Sequence, residues 1–154
     1  MAALQQGDKA PSFTSKDQNG NTVSLAQFKG KKVVLYFYPK DDTPGCTTEA
    51  CDFRDHYQGL IAQGIEVLGV SVDDEKSHQK FINKHHLPFT LLADTDHEIV
   101  TAYGVWGEKN MYGKKYMGTN RTTFVIDETG LILHVIAKVD TKSPTAQVLA
   151  LLNV

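Results

Sequence analysis

Apolar residues along the chain fall into short unbroken runs and into spaced sets, and the two patterns predict different elements. Val33-Val-Leu-Tyr-Phe-Tyr38 is continuous, β-branched and aromatic with no alternation, as a strand buried on both faces would be. Ile65-Glu-Val-Leu-Gly-Val-Ser-Val72 is a second strand, and Leu87-Pro-Phe-Thr-Leu-Leu-Ala93 a third whose start is marked by Pro88. Between the first two, Ala50, Phe53, Tyr57, Leu60 and Ile61 recur at helical spacing. They predict a helix running to about Gln63 and ended by Gly64. Asp42 or Thr43 can cap its start, and Pro44 suits the first helical position, where an N–H would be unpaired anyway. Cys46 extends the apolar face by one turn, so its sulfur is expected to point inward.

The remaining patterns complete an α/β chain. Asn19-Gly-Asn21 between Phe13–Gln18 and Thr22–Ser24 predicts an N-terminal β-hairpin that covers an edge of the main sheet. Asp73-Asp-Glu75 leads into a helix carrying Phe81 and Ile82, which makes a parallel βαβ unit. Glu98 to Tyr103 is a short helix ended by Gly104. Val105 to Asn120 has no clean period and is read as a long ordered loop, a candidate functional region. Thr122–Ile126 and Leu131–Ile136 bracket Asp127-Glu-Thr-Gly130 as a second hairpin, and Pro144 opens a last helix with Val148, Leu149, Leu151 and Leu152 as its buried stripe. The expected architecture is a central mixed sheet flanked by helices, compatible with a thioredoxin-like core.

Composition narrows the picture. At 154 residues and 41% hydrophobic content, one domain over the whole chain is expected. Sixteen basic and 18 acidic residues leave a formal charge of −2, which points to neither nucleic acid nor an anionic membrane surface. No apolar stretch approaches the roughly 20 residues that span a bilayer, and the start lacks a basic segment followed by an apolar run. A cytoplasmic protein is expected. Two cysteines do not make a disulfide scaffold; in a reducing compartment a close pair points to catalysis, redox sensing or metal binding.

With Thr43 as cap, Cys46 is the third helical residue, beside unpaired backbone N–H groups at the positive end of the helix dipole. Both features favour thiolate over thiol. Full ionisation raises the reactive fraction of an ordinary thiol by only about 30-fold at neutral pH. Enzymatic accelerations begin near roughly a million-fold, so the transition state must be stabilised as well. In attack on a peroxide O–O bond, charge develops on the leaving oxygen, where the Thr43 hydroxyl, the Cys46 N–H and a guanidinium could act. Cys51 lies five residues on. Ideal helix geometry puts its Cα about 8.6 Å away and about 140° around the axis. Separations above about 7 Å cannot be bridged without backbone movement, so a Cys46–Cys51 disulfide requires the first turn or two of the helix to unwind.

Pro39-Lys-Asp-Asp-Thr43-Pro-Gly-Cys46 resembles the peroxiredoxin signature of proline, three residues, threonine, two residues and cysteine. The second cysteine in Cys46-Thr-Thr-Glu-Ala-Cys51, Gly104-Val-Trp-Gly-Glu-Lys109 and Arg121-Thr-Thr-Phe-Val-Ile-Asp127 are similar to the Q-type, or bacterioferritin-comigratory-protein-like, branch. This resemblance implies a thioredoxin fold and a thiol peroxidase acting on hydrogen peroxide and organic hydroperoxides without metal, haem or other cofactor. It implies that Cys46 is the peroxidatic nucleophile, that Thr43 and Arg121 orient peroxide and stabilise the thiolate, and that Pro39 shields the pocket. Cys51 becomes the resolving residue. A Cys46 sulfenic acid would condense with it before over-oxidation, and thioredoxin, with glutaredoxin as second choice, would reduce the disulfide. An intrachain resolving cysteine removes any chemical need for a dimer, so a monomer is expected.

Plainer readings stand beside these. Cys46 could be an inert small core residue, and Cys51 an unrelated thiol. Thr43 could be only a cap, Arg121 an ordinary strand-entry charge and Pro39 the end of a strand. Glu49 reads equally as a member of a hydrogen-bond network or as a solvated helix carboxylate. His85 and His86 suit a helix C-terminus, while His56, His78, His97 and His134 show no ligand spacing. A zinc site on the two cysteines would need two further ligands. Asp41, Asp42, Asp73 and Asp74 read as loop and cap residues, and Trp106 as a packing residue. A protein thiol-disulfide oxidoreductase is the competing enzymatic class, weakened by the absence of Cys-x-x-Cys, and a non-enzymatic redox sensor or metal-binding module is the third.

Overall fold

The computed structural model describes residues 3–152. Its centre is β3 (Lys32–Phe37), and successive side chains of this run enter two different cores. Val33, Leu35 and Phe37 pack with Ile99, Val100, Tyr103 and Phe124 on one face. Val34, Tyr36 and Tyr38 pack with Cys46, Ala50, Phe53, Phe81 and Val148 on the other. A strand with period-2 side chains and apolar residues at every position can be buried only in this way.

The other strands are β1 (Thr14–Lys16), β2 (Thr22–Ser24), β4 (Ile65–Ser71), β5 (Thr90–Ala93), β6 (Trp106–Met111), β7 (Lys114–Thr119), β8 (Thr122–Ile126) and β9 (Ile132–Ile136). The helices are α1 (Pro44–Ala62), α2 (Glu75–His85), α3 (Glu98–Ala102) and α4 (Pro144–Leu152). Seven strands form one sheet in the order β2-β1-β5-β4-β3-β8-β9. β3, β4 and β5 are parallel, joined through α1 and α2, and β8 and β9 continue the sheet antiparallel beside β3. The N-terminal hairpin lies on the opposite edge, where Lys16 pairs with Ala93. The mixed sheet, the flanking helices and the edge hairpin agree with the sequence reading.

Four expectations are corrected. The segment from Val105 to Asn120 is no loop: β6 and β7 form a separate two-stranded hairpin turning at Tyr112 and Gly113, both at positive φ. β5 begins at Thr90, because the Leu87 N–H closes α2 on the Ile82 carbonyl and Pro88 has no N–H to donate. Thr43 does stand at the N-cap of α1 but makes no capping hydrogen bond; its hydroxyl donates to the Lys40 carbonyl at 2.8 Å. Ile61 and Leu151 lie at the exposed margins of their helices rather than in the buried stripes.

Candidate active site

Three elements converge at the sulfur. β3 ends at Phe37, and the chain turns through Pro39 to Thr43 into α1, whose third residue is Cys46. Pro44 at the first helical position sets the entry, and the apolar face of α1 packs Cys46 inward beside Ala50 and Phe53. The Cys46 side chain is buried and Cys51 is half-buried; both are free thiols on one unbroken helix. The ideal-helix separation of about 8.6 Å therefore applies, and no disulfide joins them in this conformation.

The third element is β8. It runs antiparallel to β3 with Thr122 opposite Phe37, which places Arg121 beside the point where the chain leaves β3 for α1. Its guanidinium lies 3.2 Å from Cys46 Sγ and donates to Glu49 Oε1 at 2.6 Å. Gly45 eases this approach, since a Cβ there would stand 3.3 Å from Arg121 Nη2, closer than ordinary van der Waals contact. Sequence spacing could not bring together residues 75 positions apart; the strand register does.

Glu49, left undecided by the sequence, is fully buried one turn beyond Cys46. Burial pushes its carboxyl up to about 7, and the Arg121 guanidinium pulls it down only in part. Burial also works against the charge on Arg121, but Cys46 and Glu49 more than offset it. Glu49 Oε2 and the Tyr36 hydroxyl, both buried, have no hydrogen-bond partner among the described residues. The only warning in the sequence was the position of Glu49 three residues after Cys46, on the side of α1 that turns toward β8.

Thr43 and Pro39 stand in the connecting loop, each half-buried. Because the Thr43 hydroxyl hydrogen is committed to Lys40, its oxygen is left as an acceptor. Asp41 and His78, read from sequence as a loop residue and a histidine without a role, are buried partners at 2.7 Å. No group of three or more His, Cys, Asp or Glu able to hold a metal occurs among the described residues. None of the helices described is long and apolar enough to cross a membrane.

The arrangement is a buried thiol at a helix N-terminus, a guanidinium on its sulfur and a hydroxyl acceptor in the adjoining loop. The AhpC/TSA family model matches residues 6–135. A putative peroxiredoxin bcp of Coxiella burnetii is 53% identical over 146 residues, covering 95% of this chain and 97% of that protein. Peroxiredoxin Bcp of Bacillus subtilis is 47% identical over 150 residues, covering 97% and 96%. A structure of the Xanthomonas campestris bacterioferritin comigratory protein, from work on its alkyl peroxide reduction activity, superposes with a TM-score of 0.90 at 35% identity, covering 99% and 97% of the two chains. The chain thus belongs to the AhpC/TSA family as a peroxiredoxin of the bacterioferritin-comigratory, or Q-type, branch, and it is a peroxidase with the thioredoxin-like fold of that group.

Proposed function

We propose that this peroxidase reduces hydrogen peroxide and organic hydroperoxides through Cys46, that Cys51 resolves the oxidised sulfur, and that thioredoxin restores the dithiol. The observation that carries the reading is the Arg121 guanidinium at 3.2 Å from a buried Cys46 Sγ. A positive charge beside the sulfur stabilises the thiolate, and the same charge meets the negative charge that grows as the O–O bond breaks.

The peroxide enters with its O–H donated to Thr43 Oγ1, whose own hydrogen is already taken by Lys40. The Cys46 thiolate attacks the terminal peroxide oxygen; an S–O bond forms, the O–O bond breaks, and the peroxide's hydrogen ends on the departing alkoxide or hydroxide. The products are Cys46 sulfenate and an alcohol or water. Pro39, at the mouth of the loop, limits water around the sulfur. After protonation, the sulfenic acid is attacked by the Cys51 thiolate; an S–S bond forms, the S–O bond breaks, and the departing hydroxide takes a proton from solvent to leave as water, giving a Cys46–Cys51 disulfide. Two electrons from a dithiol of the thioredoxin type, with glutaredoxin second, close the cycle. Both reacting cysteines lie in one chain, so a monomer suffices. The alkyl peroxide activity of the Xanthomonas relative supports an organic hydroperoxide as substrate.

Reduced protein mixed with one equivalent of peroxide provides the test. Wild type should consume it rapidly, Cys46→Ser should not, and Cys51→Ser should complete one fast turnover and accumulate sulfenic acid. Slow peroxide loss beside rapid insulin reduction would instead identify a protein thiol-disulfide oxidoreductase.

A further inference from the structure

A second buried polar cluster is built on the same loop. Asp41 lies between Pro39 and Thr43, and its carboxylate meets three donors: the Tyr38 hydroxyl at 2.6 Å, the Ser77 hydroxyl at 2.8 Å and His78 Nδ1 at 2.7 Å. The His78 side chain is completely buried, and its Nε2 stands 2.9 Å from the Leu92 carbonyl oxygen on β5. A carbonyl can only accept, so Nε2 carries a hydrogen. A carboxylate faces Nδ1, so that nitrogen donates too, and His78 is an imidazolium. Burial opposes its charge, but the Asp41 carboxylate and the Leu92 carbonyl outweigh that and raise its pKa.

Neighbouring contacts lead the same way. The Asp41 N–H donates to Asp73 Oδ2 at 2.8 Å, and that oxygen also accepts the Ser71 hydroxyl at 2.7 Å. Asp42 sits at φ 58°, in the left-handed region, and its carboxylate is held by Lys84 at 2.8 Å and His85 at 3.1 Å. The side-chain tethers of Asp41 and Asp42 therefore run to Tyr38, just past β3, and to α2, the Asp41 N–H adds one to the turn between β4 and α2, and none of these runs to α1. A buried ion pair often adds little net stability over apolar residues of the same volume, and what it can add is defined position.

We infer that Asp41 and His78 form a buried clasp that positions the peroxide-binding loop. It holds Pro39 to Thr43 against β3 and α2, so that Thr43 meets the peroxide in register with Cys46. It stays closed while the first turn of α1 opens toward Cys51, so the loop is ready when the helix re-forms. Neither residue touches the sulfur; both are positioning residues, and their role rests on the two-cysteine cycle proposed above.

The clasp predicts a split between the two chemical steps. Rapid quenching of the full chain, with mass spectrometry of alkylated thiol, trapped sulfenic acid and disulfide, follows each step separately. His78→Leu is expected to slow Cys46 oxidation roughly ten- to a hundredfold and to leave disulfide formation unchanged or faster. Asp41→Ala/His78→Leu, which removes both charges, is expected to recover part of the thermal stability lost in His78→Leu but not the oxidation rate. Ser77→Ala keeps the ion pair and removes one donor, and gives the same readout, with oxidation a few-fold slower, if neither of the others folds. Wild-type oxidation rates in the folded variants, or equal slowing of both steps, would overturn the clasp. Peroxide consumption that survives in Cys46→Ser would instead overturn the proposed cycle itself.

Discussion

Arg121 reaches Cys46 Sγ at 3.2 Å and Glu49 Oε1 at 2.6 Å, so two acidic side chains share one guanidinium. Replacing it with Gln keeps a donor but removes the charge that serves the developing oxyanion. The second-order rate with hydrogen peroxide is expected to fall about 10²- to 10³-fold in stopped-flow assays. Glu49 carries a pH dependence with a definite sign. Folded, its carboxyl keeps a proton up to about 7, whereas the ordinary value is 4.5. The unfolded chain therefore binds fewer protons in that window, and stability falls as pH rises. The contribution is fully present below about 4.5 and is lost through about 7. Urea titrations across this range should show the decline in wild type and a shallower one in Glu49→Gln. Sequence spacing raised both readings of Glu49 and could not choose between them, because a carboxylate three residues along a helix from Cys46 is solvated or buried according to what packs on that side. Arg121, whose residue type and position drew it in only through family resemblance, settles which.

On the scale of one element, α1 has two tasks that conflict. Its first turns hold Cys46 in the core beside Ala50 and Phe53, and the same turns keep Cys51 out of bonding range. The disulfide form must give up part of this packing. Amide exchange across residues 44–54 should accelerate in that form and be slow in the reduced one; identical patterns would remove the need for helix opening. Since a bridge closing so short a loop restrains the unfolded chain little, the disulfide form should also melt at lower temperature than the reduced form. The boundaries of α1 were legible because Pro44 and Gly64 have local conformational reasons to stand where they do. The β6–β7 hairpin was not. It stands outside the main sheet with most side chains in water, so no face demands apolar residues, and its turn uses Tyr112-Gly113 in place of the usual Asn-Gly signal.

Across the whole molecule, β3 is the organising strand, and it acts through its pairing with β8 as much as through its own burial. Moving the Phe37–Thr122 register by two residues would carry Arg121 away from the sulfur while leaving each β8 side chain on its own face of the sheet. All the chemistry proposed lies within one chain, so light scattering of the reduced protein should give 17.1 kDa; a stable larger species would call for a site completed across copies. What the amino-acid order determined by itself was local: doubly buried strands from unbroken apolar runs, α1 from its spacing, its proline and its glycine, and an inward Cys46. These follow from backbone sterics and from which side of each element must leave water. The approach of Arg121, the burial of Glu49 and the clasp of Asp41 with His78 were decided only by tertiary structure. Each depends on strands or helices far apart in sequence meeting in one register, and no local pattern records the distance between them.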